Sequence, residues 1–352
     1  MNQAPEKIPT PGISAHDLES IISRSAPEIE QLLLQPVLVT GGSGFVGRWL
    51  IETLVAASLK MAINAEIVSL NRVTTAWQGE LVRRGLLQVV NADISKSFHL
   101  DQGFGYVFHC ATPASAALNE SNPAEMQRII EQGAENIIQL FSETSTRVVN
   151  VSSGAVYGIQ PADLQCFKEE WMYSSRRVLP NSAYHHAKVG AEERFNRALN
   201  HSSIEVVHAR LFAFLAPLLP LDQHFAAGNF IRDAVNNSPI IISGDHRTVR
   251  TYMYGTDLVV WLIATAVLGR SGDAYNIGSP YETTIGELAS QIARIAGSTA
   301  GVSFIGTPDL TLPAHRYVPC TTRTQRELGV TLDVRLEEAV ERTLRWCRLT
   351  MQ

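Results

Sequence analysis

Val37-Leu38-Val39-Thr40-Gly41-Gly42-Ser43-Gly44-Phe45-Val46-Gly47 is the stretch from which the rest of the chain can be read. An apolar run ends in glycines spaced by three, and Arg48-Trp49-Leu50-Ile51-Glu52 then starts a helix-like pattern. The spacing predicts a strand, a tight turn and a helix N-terminus. Such a terminus carries unpaired N–H groups and a partial positive charge, so it attracts a pyrophosphate. Gly41 would permit the turn, Gly44 would let the phosphates reach the backbone, and Gly47 would let helix and strand pack closely. Phe45 and Val46, between them, join the candidate cofactor-binding residues. A glycine triplet alone equally suits a plain tight turn.

A second feature makes the reading specific. Tyr184-His185-His186-Ala187-Lys188 puts a tyrosine and a lysine four apart, on one face of a helix. Upstream, Val149-Asn150-Val151-Ser152-Ser153-Gly154-Ala155-Val156-Tyr157-Gly158 is an apolar strand ending in serines. In this order, the three motifs resemble the extended short-chain dehydrogenase/reductase family of nucleotide-sugar epimerases, dehydratases and reductases. The resemblance runs from about residue 36 to about residue 345.

Composition sets bounds. With 352 residues, 45% of them hydrophobic, the chain has ample core for one large domain or two fused lobes. The net charge is −5 and no basic block stands out, so nucleic acid is not expected as a partner. Cys110, Cys166, Cys320 and Cys347 show no CxxC and no paired spacing. They read as reduced thiols of a cytoplasmic protein rather than as a disulfide frame or metal site. No signal sequence is expected at the N-terminus. The most apolar runs, 211–221 and 258–268, are shorter than the about 20 residues a membrane span needs.

Along the chain, residues 1–35 read as a polar tail and one added helix over 14–34. Strands are expected over 37–40, 66–70, 87–91, 106–109, 148–151 and 205–210, and helices over 46–59, 123–143 and 183–200. That alternation predicts an α/β protein: a doubly wound parallel Rossmann sheet over 36–211. Beyond Phe212 the pattern loosens around Pro217, Pro220, Pro239, Pro280 and Pro313. Residues 212–352 are expected to form a smaller α/β substrate-binding lobe, with some chain crossing back to the sheet.

In a Rossmann unit the end of the second strand meets the adenosine ribose. An acidic residue there selects NAD, and a nearby Arg selects NADP. Here Asn71 stands in the acidic position and Arg72 follows, which favours NADP over NAD. Asp93-Ile94 resembles the family pair beside the adenine. His109-Cys110-Ala111 resembles the His-x-Ala segment beside the nicotinamide ribose, with Ala111 in the cofactor site and His109 read as structural.

Hydride transfer leaves a proton to be moved at a hydroxyl/keto oxygen. Tyrosine, which titrates near ~10 when free, can do this if a neighbouring ammonium and a cationic nicotinamide favour its phenolate. Lys188 is expected to supply that charge to Tyr184 and to hold the ribose hydroxyls. Ser153, four residues before Tyr157, matches the family's catalytic Ser/Thr; Ser152 is the less favoured neighbour. The catalytic set implied is Ser153, Tyr184 and Lys188.

Two absences narrow the chemistry. The resemblance implies an Asp-Glu pair after the catalytic Thr in 4,6-dehydratases, and a Thr-x-Glu pattern in UDP-glucuronate decarboxylases. This chain has Gly154-Ala155. Oxidation or reduction of a hydroxyl/keto pair at sugar C4 remains: a keto-sugar reductase first, an NAD-retaining 4-epimerase second. Thr112-Pro113-Ala114-Ser115 still resembles the decarboxylases, which could draw a carboxylate from Glu169 or Glu170. A non-catalytic NAD(P)-sensing regulator is a further reading, opposed by the intact Tyr184 and Lys188.

The substrate signals are partly altered. In Arg210-Leu211-Phe212-Ala213-Phe214-Leu215-Ala216-Pro217, Ala213 replaces a diphosphate-binding Asn of relatives. Asn229 in Gly228-Asn229-Phe230-Ile231 survives. Arg250, in 248–257, matches a phosphate-gripping Arg, a role its planar fork suits, and Arg316 is a second candidate. Thr251 departs from the usual Asp, Asp257 is expected to cap the following helix, and Cys320 sits where relatives carry Asp. The resemblance also implies a homodimer joined through the helices over 123–143 and 183–200. Ile129, Ile130, Ile137, Ile138 and Phe141 could serve that face, or equally the core.

Overall fold

The structure, a computed structural model, describes residues 12–113, 116–171, 182–222 and 225–350. The glycine-marked stretch forms β1 (Val37–Thr40), buried along its length, a turn, and α3 (Phe45–Met61). Six further strands join β1: β2 (Ile67–Asn71), β3 (Gln88–Asn91), β4 (Tyr106–His109), β5 (Arg147–Ser153), β6 (Glu205–Leu211) and β9 (Ala274–Ile277). Their order is β3-β2-β1-β4-β5-β6-β9, and every pairing is parallel. Helices cover both faces, so most strands are apolar throughout rather than alternating. The chain winds one way from β1 through β3 and the other way from β4. The crevice where a ligand binds in such sheets lies at that switch, beyond the carboxyl ends of β1 and β4.

Six of these strands lie within two residues of the expected boundaries; β9 is additional. It follows α9 (Gly255–Leu268) and pairs with β6, so this later segment returns to the sheet. The expected helix over 14–34 is two helices, α1 (Ala15–Arg24) and α2 (Ala26–Leu33), broken at Ser25. Pro27 lies in the first turn of α2, where it has no N–H to give to the carbonyl four residues earlier and its ring crowds that carbonyl, so the helical ladder is interrupted at Ser25. Both pack on α3 and α9, where Ile21, Ile29 and Leu32 join Trp49 and Trp261 in one buried cluster.

Polar fastenings hold this N-terminal addition. Asp17 is buried, accepting from Tyr254 Oη at 2.9 Å and Arg342 Nη1 at 2.6 Å. Arg24 pairs with Asp257 at 2.7 Å and Asp333 at 3.0 Å. Asp257 does not cap α9 as expected. Tyr254 is the N-cap, and Asp257, third in the helix and fully buried, accepts from Arg24 and from the backbone N–H groups of Asp333 and Val334. The covering N-terminal helices turn a residue expected to cap a helix into an internal tie.

The remaining sheet helices are α4 (Ala76–Arg83), α5 (Ala116–Ser121), α6 (Pro123–Phe141) and α7 (Ala183–Ala198). A second core gathers Phe230 and Ile231 of α8 (Ala226–Val235), Leu288 and Ile292 of α10 (Ile285–Ala296), and Val340 and Leu344 of α12 (Leu336–Thr350). Two small sheets accompany it: β7 (Ile240–Ile242) with β11 (Val302–Phe304), and β8 (Val249–Thr251) with β10 (Glu282–Thr284). The short α11 (Thr322–Leu328) packs on β9 and α9. Among the described residues no helix is long and apolar enough to cross a membrane.

Candidate active site

The turn after β1 is closed by glycines that no other residue could replace in place. Gly41 has φ +67°, and a Cβ there would lie 2.8 Å from Ala111 Cα; one on Gly47 would lie 2.4 Å from Gly41 O. Gly44 is the N-cap of α3 and offers no side-chain cap. The first-turn N–H groups of Phe45, Val46 and Gly47 therefore remain for an anion. This open cradle fits the pyrophosphate of a dinucleotide.

Behind it, Thr40 Oγ1 accepts from Ala111 N at 3.1 Å and lies 3.0 Å from His109 Nδ1. Burial, reinforced by the Lys188 charge, pushes His109 down to about 3, so it is neutral. His109 thus acts as a hydrogen-bonded strut between β1 and β4.

Asn71 is placed differently from the expectation that it would meet the ribose. It is buried, its oxygen accepts from Ser69 Oγ at 2.6 Å and Gln78 Nε2 at 2.9 Å, and its amide donates to Val73 O. Its hydrogen-bonding groups are spent on the turn into α4. Arg72 beside it is exposed, and its guanidinium has no ion-pair partner among the described residues. Asp93 follows β3 and accepts from Ser95 N at 3.0 Å and Ser95 Oγ at 2.8 Å. The backbone bond from Ser95, above all, holds its carboxyl below the usual range, and Lys96 and Arg72 add to this. Ile94 is buried next to it.

β5 delivers two consecutive serines to opposite sides, as strand geometry requires. Ser152 Oγ donates to Glu192 at 2.5 Å, inside a buried network in which Glu192 pairs with Arg210 at 2.7 Å and Arg210 donates to Tyr157 Oη at 3.0 Å. Ser153 is free of that network. Its Oγ accepts from Ala155 N at 3.1 Å, and its hydroxyl favours ionisation of the Tyr184 and Tyr317 phenols, against their burial.

Tyr184 and Lys188 rise from α7 one turn apart, with Tyr184 N anchored to Asn119 Oδ1 at 3.0 Å. The Lys188 ammonium donates to Val151 O at 2.8 Å and Thr112 Oγ1 at 3.0 Å, and lies 5.8 Å from the centre of the Tyr184 ring. Burial lowers its pKa to about 8, against the pull of Cys110 and Glu192. The Tyr184 phenol is raised by burial and partly brought back by the Ser153 hydrogen bond. The Lys188 ammonium is thus bonded to a carbonyl and a hydroxyl, and Ser153 is the side chain that offsets the burial of Tyr184.

The wall opposite α7 contains a residue the sequence reading passed over. Tyr317 is tied to β8 by Tyr317 N to Val249 O at 3.2 Å, and its ring lies 4.6 Å from that of Phe212. Its hydroxyl sits over Gly154, where a Cβ would meet it at 2.5 Å. The only local signal was its place directly after the candidate Arg316. Arg250 stands 5.9 Å from the Tyr317 ring, donates to Val249 O, and has no carboxylate partner among the described residues. A half-buried guanidinium of this kind is a ready anion site. Arg316, one strand away, is already paired with Glu282. Asn229 lies on α8, where its oxygen accepts from Arg232 at 3.2 Å.

The two carboxylates considered as replacements are otherwise engaged. Glu169 is buried and accepts from Asn276 N at 3.1 Å and Thr324 Oγ1 at 3.2 Å; Glu170 is exposed and lies 3.7 Å from Arg323. Ala114 and Ser115 lie outside the described residues. Among those residues, no group of His, Cys, Asp or Glu side chains could hold a metal ion.

Known proteins resemble this chain along most of its length. The chain is 25% identical over 309 residues to UDP-glucuronic acid decarboxylase 1 of Arabidopsis thaliana, covering 87% of this chain and 68% of that protein. It is 25% identical over 317 residues to the Xenopus tropicalis protein of the same name, covering 90% and 73%. Among solved structures, an epimerase from Methanothermobacter thermautotrophicus matches with a TM-score of 0.77 at 24% identity, covering 94% of this chain and 97% of that one. A dTDP-glucose 4,6-dehydratase from Streptomyces venezuelae, solved with NAD bound, matches with a TM-score of 0.77 at 23% identity over 89% and 97%. The sequence profile of the NAD dependent epimerase/dehydratase family matches residues 37–278. With the glycine cradle at a sheet switch point and the Ser-Tyr-Lys arrangement beside it, the chain belongs to the NAD-dependent epimerase/dehydratase family of extended short-chain dehydrogenases/reductases.

Proposed function

We propose that this enzyme interconverts a hydroxyl and a keto group, at C4, on a nucleotide-activated sugar, without elimination or decarboxylation. The observation that carries the reading is at residue 154. Ser153, Tyr184 and Lys188 are grouped, while the position where dehydratases carry an acid is a glycine covered by Tyr317 and Phe212. The residues that remain can move one proton at one oxygen.

Gly41, Gly44, Phe45, Val46, Gly47, Asp93, Ile94 and Ala111 would hold the dinucleotide, with Lys188 on its ribose. Bound there, a nicotinamide supplies or takes the hydride. Tyr184 gives its proton to the carbonyl oxygen in the reducing direction and takes it back in the oxidising one. Ser153 donates to the same oxygen and fixes its position. Arg250 grips a phosphate of the substrate's diphosphate, with Arg316 and Asn229 as further contacts. Unpaired, exposed Arg72 supports NADP; NAD bound to structural relatives supports the second reading, an epimerase that retains its cofactor.

The test begins with the nucleotide released from denatured protein, identified by mass spectrometry. An empty site that then oxidises NADPH with 4-keto-sugar nucleotides supports the reductase. Retained NAD with C4 inversion of UDP-sugars supports the epimerase. Carbon dioxide released from UDP-glucuronate overturns the proposal in favour of the chemistry named for the sequence relatives.

A further inference from the structure

We infer that Thr112 is a positioning residue that aims the Lys188 ammonium: Thr112 takes one of its three N–H groups, Val151 takes a second, and the third is left for the cofactor ribose. The inference rests on the proposed role of Lys188 at that ribose. An ammonium has three donors and no acceptor. Lys188 Nζ donates to Val151 O at 2.8 Å and to Thr112 Oγ1 at 3.0 Å. With these two directions fixed, the third N–H has no acceptor among the described residues.

Both acceptors are held by backbone. Val151 lies within β5 and is in register with Ala209 of β6. Thr112 follows β4 in a three-residue turn, its N–H bound to Cys110 O at 2.8 Å. Cys110 N is bound to Thr40 O at 3.2 Å and Ala111 N to Thr40 Oγ1 at 3.1 Å, so the turn is tied to β1. Pro113 comes next and restricts the backbone of Thr112 to extended conformations. Threonine is also branched at Cβ, which leaves its hydroxyl few orientations. A long, flexible lysine is thus held by two rigid acceptors, one at each of two neighbouring strands.

A hydroxyl that accepts from the ammonium also favours its charged form, which burial opposes. The titratable groups facing Lys188 are His109 of β4, Cys110 after it, and Tyr184 and Glu192 of α7. Burial pushes His109 down to about 3 and Cys110 up to about 12, and it raises Tyr184. Glu192, despite its burial, is held below its usual value by His208 and Arg210. Lys188, brought down to about 8 by burial, is the member of this set that titrates between pH 7 and 9.

The test titrates the protein with NADPH from pH 6 to 9, reading nucleotide fluorescence, and takes the loss of affinity with rising pH that Lys188→Met lacks. Thr112→Val nearly keeps the shape and removes the acceptor. Its loss of affinity should set in about one pH unit lower, roughly tenfold less ammonium at alkaline pH. Thr112→Ser, which restores the acceptor, should return the midpoint to that of the parent. An unmoved midpoint in Thr112→Val, or equal shifts in Thr112→Val and Thr112→Ser, overturns the inference and leaves the proposed role of Lys188 standing. Equal profiles for the parent and Lys188→Met overturn both. Should Thr112→Val fail to fold, Thr112→Ala carries the same expectation, and an unmoved midpoint there sinks the inference.

Discussion

The hydroxyl of Tyr317 and the α-carbon of Gly154 are packed so closely that a Cβ on residue 154 would meet that oxygen at 2.5 Å and the Phe212 ring at 2.6 Å. Glycine is therefore required here by space, because φ at 154 is not among the positive values. Gly154→Ala should cost about 1–3 kcal/mol through overpacking. Gly154→Ala with Tyr317→Phe should recover part of that loss, since one of the two clashing groups is gone. Urea unfolding of the three variants measures it; equal stability of Gly154→Ala and the parent would refute the packing argument.

Tyr184 is expected to carry the proton. Tyr184→Phe should lower kcat about 10²- to 10⁴-fold, the usual contribution of a positioned acid or base. Dinucleotide affinity should hold, because Lys188 and the glycine cradle are untouched. Fluorescence titration with NADPH and NADH, beside turnover, separates the two effects. Turnover within twofold of the parent would point to another proton donor.

The parts of this architecture that sequence made legible are those encoded locally. β1, its glycine turn and α3 are written in eleven consecutive residues, and Tyr184 and Lys188 are one helical turn apart. The break at Ser25 escaped because apolar spacing continues across it, although Pro27 was present to announce it. β9 was missed because Ala274–Ile277 is a four-residue strand whose partner β6 lies more than sixty residues earlier. Tyr317 has no motif of its own. It reaches Gly154 only because the segment after residue 314 pairs with β8, a non-local contact that side-chain spacing does not encode. Asn71 illustrates the opposite error: its position in the chain was right for the ribose, but Ser69 and Gln78 claim its side chain.

Lys188 gives a pH signature with a definite sign. Burial lowers its pKa to about 8 in the folded chain, below the ~10.4 of a free lysine. Between those values the unfolded chain holds a proton that the folded chain lacks. Stability from this group therefore rises with pH across that window and is flat below it. In Lys188→Met the rise should vanish. The parent should gain on the variant from pH 8 to about 10.4, on top of a constant offset from the lost bonds to Val151 and Thr112. Parallel stability profiles would contradict the buried charge.

Arg72 is exposed at the carboxyl end of β2 with Asn71 turned inward beside it. A 2′-phosphate would give it its missing anionic partner, as a charge-assisted bond. Arg72→Ala should weaken NADPH binding about tenfold, at the scale of one such bond, and leave NADH binding within twofold. Equal effects on both nucleotides would remove Arg72 from cofactor discrimination.

Arg24 and Asp257 tie the N-terminal helices to α9, and the Asp257 side chain is 0% exposed. Its carboxyl is raised by burial, with Arg24 the largest opposing influence. Arg24→Ala leaves that carboxylate buried with only the N–H donors of Asp333 and Val334, a loss of about 3 kcal/mol on the scale of broken buried pairs. Removing Arg24 should lift the Asp257 pKa further, so the folded variant binds a proton more readily than the unfolded chain does. Its stability must then fall as pH rises through that range, and the deficit against the parent should be smaller at pH 4 than at pH 7. Arg24→Ala with Asp257→Asn, which removes the charge itself, should recover stability at pH 7. Urea unfolding at the two pH values decides the point: a deficit that does not change with pH would mean that Arg24 acts through Asp333 and packing rather than through Asp257.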